Sequence, residues 1–182
     1  MALKPTIYKA QVELADSDRG RFETLSLTLA LHPSETLERM AARLLAYFLN
    51  VDEGLAFTRG LSTAEEPDLW QHAPSGEVMH WIEVGQPEEP RLRKACGRAP
   101  RVTVYAFGKS TDVWWRRSAD ALTGQSALSV WRLEWEDMVA LAALIERTVQ
   151  LSVSVVGGTA YVDRAGETVA ITPEPLKAGP EY

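Results

Sequence analysis

Two acids stand out as candidates for chemistry. Asp68 follows Pro67, and Glu83 lies fifteen positions on, near the end of the strand-like run Met79–Val84. Carboxylates on adjacent strands are the hard oxygen donors that magnesium or manganese prefers. Such a cation can activate water and neutralise charge on a phosphate. Trp70 and Trp81 each lie two residues from an acid. At the period of a strand each shares its acid's face, so the pair is expected in an aromatic-walled cleft. The plainer alternative is a Pro-Asp turn and an exposed strand-end glutamate.

Glu35 and Glu38 could add a third carboxylate. Glu35 is also four residues from Arg39, the spacing of an ordinary surface pair, and it suits the first turn of a helix. Between Pro90 and Ala119 there are eight Lys/Arg against one acid, Asp112. Within that stretch Arg91, Lys94, Arg98 and Lys109 could hold phosphates, or could be a solvated helix face. His32, His72 and His80 have no metal-ligand spacing. Of the neighbours Trp114 and Trp115, one is expected in the core and the other exposed. Cys96 reads as a small core residue.

These residues need a scaffold. The runs 6–14 and 21–31 read as a β-hairpin around Asp16–Gly20. A helix follows from about Glu35 to Asn50, opened by Pro33 and Ser34, with Leu37, Met40, Ala41, Leu44, Leu45 and Phe48 as its apolar stripe. Asp68–Gln71 reads as a short strand. Strands at 79–84, 101–107 and 127–133 then alternate with helices at 88–96, 111–122 and 134–148, the order of a parallel sheet with crossovers. Residues 150–156, 159–162 and 168–171 read as an antiparallel meander around Gly157-Gly158. The expectation is one α/β domain over residues 1–172, with a single mixed central sheet, antiparallel at its ends, flanked by helices, and an extended or frayed tail at 173–182.

The 182 residues, 46% hydrophobic and 24% charged, can bury a core without staples. A single cysteine excludes an internal disulfide and a cysteine zinc cluster. The N-terminal residues have no apolar stretch of signal-peptide length, and no run is long enough to cross a bilayer. A cytoplasmic protein with no membrane partner is expected. The net charge of −6 argues against a general nucleic-acid coat, though the basic stretch leaves room for a local patch.

Several segments together resemble the YaeQ family of bacterial proteins: Met1–Ala10, His32–Thr36, Arg59–Ser62, Glu66–Trp70, Ile82–Pro87, Ala95–Ala99 and Asp112–Trp115. The resemblance spans nearly the whole chain. It implies a variant of the PD-(D/E)xK restriction-endonuclease-like fold, with a mixed central sheet and flanking helices. It also implies that Asp68 and Glu83 bind a divalent metal, Mg2+ or Mn2+, joined by Glu35 or Glu38 from the first core helix. The lysine that this superfamily carries two residues after the acid is replaced by Gly85, and Gln86 follows. A glutamine can position water but brings no positive charge to a developing anion. Three functions stay open: a metal-dependent nuclease or phosphodiesterase, a catalytically degenerate binding module for nucleic acid or a transcription component, and a protein-interaction domain.

Overall fold

The computed structural model describes residues 3–180, so Met1, Ala2, Glu181 and Tyr182, which belong to the opening motif and the tail, lie outside the described residues. Strands β1 (Thr6–Asp16) and β2 (Arg21–Leu31) form the hairpin in unbroken antiparallel register. One face, from Ala10, Val12 and Leu14 to Leu25, Leu27 and Leu29, is buried, while the intervening residues stay in water.

Helix α1 spans Leu37–Asn50 and is capped by Thr36, whose hydroxyl accepts from Arg39 N at 3.2 Å. It therefore starts later than the proline and serine suggest. The Ser34 hydroxyl lies 2.7 Å from His32 Nδ1, and Glu35 N donates to His32 O, so these residues close a turn ahead of the helix. Phe48, Met40, Leu44 and Leu45 are fully buried. Each contributes roughly 1.5–3 kcal/mol relative to exposure, which offsets carrying Arg43 and Asn50 into the interior on the same helix.

Next come β3 (Leu55–Phe57), a 3₁₀ turn at Gly60–Ser62, β4 (Leu69–His72) and β5 (Val78–Val84). The alternating part is α2 (Glu89–Cys96), β6 (Arg101–Ala106), α3 (Thr111–Leu122), β7 (Leu128–Arg132) and α4 (Trp135–Leu144). Helix α4 ends before the expected 148 because β8 (Thr148–Val156) begins with β-branched Thr148 and Val149, paired parallel to Lys9 and Ala10. Strands β9 (Thr159–Arg164) and β10 (Glu167–Ile171) complete the meander. The segment read as an extended or frayed tail carries β11 (Glu174–Lys177), antiparallel to β7 and anchored by Lys177 Nζ on the carbonyls of Gln125 and Leu128, both at 2.8 Å.

The single mixed sheet expected from the sequence is corrected to two. One has the order β10-β9-β8-β1-β2, the other β11-β7-β6-β5-β4-β3, and each contains parallel and antiparallel pairs. The reason is β8, which pairs with β1 across the length of the chain instead of joining the central sheet. Residues of α1 and α4 pack with both sheets in one large core. On the other face of the second sheet, Leu92 and Ala95 of α2 and Leu122 of α3 form a second core with Val102, Val104, Leu128 and Val130. Both adjacent tryptophans, Trp114 and Trp115, are half-buried against this second core, so neither is fully inside. No described helix is long and apolar enough to cross a membrane.

Candidate functional site

Register brings the two acids together. Leu69 pairs with Ile82 and Trp70 with Trp81, so the next antiparallel step sets Asp68 beside Glu83 at the C-terminal end of β5. Asp68 N donates to Ile82 O at 3.0 Å, which holds the backbone there. Both residues are only 4% exposed, and both line a cavity of about 400 Å³ with Arg39, Gln86 and Arg91.

Neither acid stands alone. Asp68 Oδ1 accepts from Arg39 Nη2 at 2.8 Å, and its Oδ2 from Val84 N at 2.9 Å. Glu83 Oε1 accepts from both Trp81 Nε1 at 2.9 Å and Arg91 Nε at 2.8 Å. Arg91 also donates to the carbonyls of Ala64 and Glu66, which ties the loop before β4 to the site. Arg39 reaches back to Glu35 Oε2 at 2.7 Å, and Arg43 grips Glu35 through Nε at 3.0 Å and Nη2 at 2.7 Å. Three carboxylates, Glu35, Asp68 and Glu83, thus face three guanidiniums, and the cluster is neutral.

Burial pushes the Glu83 carboxyl above its usual range, and Asp68 adds to the rise; Arg91 and the Trp81 indole oppose it. Burial works against the Arg39 charge, yet Asp68 and Glu35 outweigh it and raise its pKa.

The three carboxylates do not gather around one point. Among the described residues no three His, Cys, Asp or Glu side chains converge as metal ligands. Arg39 stands between Glu35 and Asp68 and bridges them. Glu38 is half-buried in the first turn of α1 and is not drawn into the cluster. A divalent cation alone fits poorly, because each carboxylate it needs already has a cationic partner.

Nor do the tryptophans wall the cavity. Trp81 lies in the second core, supports Glu83 through its indole N–H and carries the Arg98 guanidinium 5.9 Å above its ring. Trp70 packs edge-on to Trp81 at 6.3 Å. Gln86 lines the cavity but its amide is engaged elsewhere: Nε2 donates to Phe107 O at 3.1 Å, and Oε1 accepts from Ser110 Oγ at 3.1 Å. Gly85 has φ +96°, a conformation in which a lysine would be strained, so the missing lysine has a backbone reason.

The basic residues do not form one face. Arg91 is turned inward, Lys94 and Arg98 both reach Glu65 Oε2 at 3.3 Å, and Lys109 is exposed in the turn before α3. Arg39 and Arg43 are the site residues that sequence reasoning underrated. Arg39 and Arg43 share one face of α1, Glu35 stands four residues before Arg39 in the turn ahead of the helix, and Arg43 interrupts an apolar stripe. That placement was the available signal, since an arginine there must find a buried acid.

Among the described residues the architecture is that of a mixed α+β protein with two mixed sheets, four α-helices and a buried carboxylate–arginine cluster at the C-terminal end of β5. The chain belongs to the YaeQ family, whose model matches residues 1–173. It is 41% identical over 172 residues to an uncharacterized protein YaeQ of Salmonella typhi, covering 94% of this chain and 95% of that one. It is 42% identical over 163 residues to the uncharacterized protein YaeQ of Escherichia coli (strain K12), covering 89% and 90%. Crystal structures of YaeQ proteins are similar throughout. That from Xanthomonas axonopodis pv. citri has a TM-score of 0.91 at 40% identity, covering 96% of this chain and 99% of that one. That from Pseudomonas syringae has 0.92 at 36%, covering 96% and 97%.

Proposed function

We propose that the cavity is a nuclease-type phosphodiester site, of the PD-(D/E)xK kind, held closed by its own arginines until a divalent cation and a phosphate arrive together. The observation that carries this reading is that Asp68 and Glu83 line one cavity while Arg39 and Arg91 neutralise them. A cation entering alone would have to displace Arg39 from Asp68 and Arg91 from Glu83, with no anion supplied to take the place of either carboxylate. A phosphate entering with it would take over the released arginines, and every charge would keep a partner. Asp68 and Glu83 would then hold Mg2+ or Mn2+, which would supply a polarised water and charge neutralisation when bound. Lys94, Arg98 and Lys109 are exposed and could meet further phosphates of a nucleic acid. The lone cysteine suits a reducing, cytoplasmic setting.

A second reading, binding without cleavage, is favoured by Gly85-Gln86, which supplies no cation to a developing anion.

Calorimetry separates these from a purely structural cluster. Magnesium or manganese alone is expected to give no saturable heat. With a short DNA or RNA oligonucleotide present, saturable and salt-sensitive binding is expected, lost in Glu83→Ala. Equal binding by the variant would overturn both readings, and a gel of the same samples separates cleavage from binding.

A further inference from the structure

The second sheet carries another cavity on the face that it turns toward the first sheet. It has a volume of about 560 Å³, within the range of small-molecule sites, and lies between the two sheets. It shares no lining residue with the carboxylate cavity. Its floor is an anomaly in a central parallel strand. One face of β6 carries Val102, Val104 and Ala106, as expected for a strand buried on both sides. The other face presents Arg101, Thr103 and Tyr105 to the cavity, beside Ser129 and Trp131 of β7. Leu49, Val155 and Pro173 add apolar wall, and the segment reaching Pro180 closes one side. Gly179 passes so near Ser129 that an added Cβ would lie 2.8 Å from that side chain, so this segment is fitted closely to the floor.

Two buried side chains there have hydrogen-bonding capacity left over. Asn50, 8% exposed, donates through Nδ2 to Ala46 O and to Tyr105 Oη, both at 2.8 Å. That fixes the amide orientation and leaves Oδ1 as an acceptor with no donor among the described residues. Tyr105, 5% exposed, accepts from Asn50, and its hydroxyl proton has no acceptor among the described residues. Burial holds the phenol in its protonated form. The cavity therefore offers an acceptor and a donor side by side, next to an indole. Its charged lining residues balance, Asp16 and Asp18 against Arg19 and Arg101.

We propose that this cavity binds an uncharged planar lactam ring of the nucleobase type, with the ring N–H donating to Asn50 Oδ1 and the ring carbonyl accepting from the Tyr105 hydroxyl. Trp131 and the proline-rich segment supply the apolar contact. The closure by residues 173–180 fits a free nucleoside better than a base in a strand.

Uridine titrated into ¹⁵N-labelled protein tests this. Saturable shifts of the Asn50 side-chain amide and the Trp131 indole resonances are expected. The probe 3-methyluridine, which lacks the donor, should bind at least about tenfold more weakly, as should uridine to Tyr105→Phe. Uridine binding should be unchanged in Glu83→Ala, so this site and the carboxylate site fail or succeed separately. A uridine tetranucleotide should not compete; competition at equal affinity per base would reassign the ligand to a strand. No shift at millimolar uridine, or equal affinity for 3-methyluridine, would overturn the proposal.

Discussion

The two cavities along the second sheet handle buried polarity in opposite ways. At the C-terminal end of β5, six charged side chains are present and each carboxylate has at least one guanidinium partner. In the cavity between the sheets, most of the buried groups are uncharged, Asn50, Thr103 and Tyr105 with His80 behind Thr103, while Asp16 is held by Arg19. Some of these keep spare donors or acceptors. A buried charge without a partner costs more than a buried amide or hydroxyl without one. The carboxylate cavity must therefore satisfy itself in the resting protein, and a ligand there has to exchange partners. The amide and hydroxyl of the cavity between the sheets can wait with capacity unspent, and a ligand there only adds partners.

The hardest blow to this contrast would be a mild phenotype for Arg43→Ala. Arg43 and Glu35 have side-chain exposures of 4% and 2%, and the pair is doubly hydrogen-bonded. Breaking such a pair typically costs about 3–5 kcal/mol. A value near the lower bound, roughly 3 kcal/mol, is expected because Arg39 still reaches Glu35. Urea denaturation measures it. A loss below about 1 kcal/mol would place the pair among weak surface bridges.

The floor of the cavity between the sheets depends on His80 staying neutral. It is 2% exposed, its Nε2 lies 2.8 Å from Thr103 Oγ1, and Thr103 in turn lies 3.2 Å from Ser129 Oγ on the cavity floor. Burial, aided by Arg101, lowers its pKa from 6.5 to about 3. Between those values the unfolded chain binds a proton that the folded chain refuses. Stability should therefore fall as pH drops below 6.5, by up to about 1.4 kcal/mol per unit. His80→Asn, which keeps a polar partner for Thr103 without a titrating ring, should flatten this acid limb. An unchanged slope in urea midpoints from pH 6.5 to 4 would show that other groups set it.

Much of this layout was legible in the chain, and the gaps share one cause. The expected bounds of α3, 111–122, match those observed, because a helix is set by residues within a turn or so of one another. The adjacency of Asp68 and Glu83 was legible because antiparallel strands place residues by counting. The division into two sheets was not, since β8 pairs with β1 across well over a hundred positions and its alternation looks the same whichever neighbour it takes. Strand β11 was hidden by Pro175, which demotes a strand reading. Arg39 was read as a surface partner of Glu35 because its second acid, Asp68, is distant in sequence and joins it only through packing.

The finest test returns to Glu83. Its raised pKa means that, just above the ordinary carboxylate range, the unfolded glutamate has released its proton while the folded one still holds it. The folded state binds more protons in that window, so this group's contribution weakens stability as pH rises through it. Glu83→Gln keeps an oxygen for the Trp81 and Arg91 donors and removes the buried charge. Arg91 is 35% exposed on its side chain and loses little when its counter-charge goes. The variant should match the parent within about 1 kcal/mol at pH 7, with any advantage shrinking toward pH 4. Urea midpoints at both values measure this. A loss of about 3 kcal/mol at pH 7 would mean instead that the Arg91 pair is as firmly committed as Arg43 with Glu35. The cation and phosphate exchange proposed for this cavity would then have to begin at Arg39.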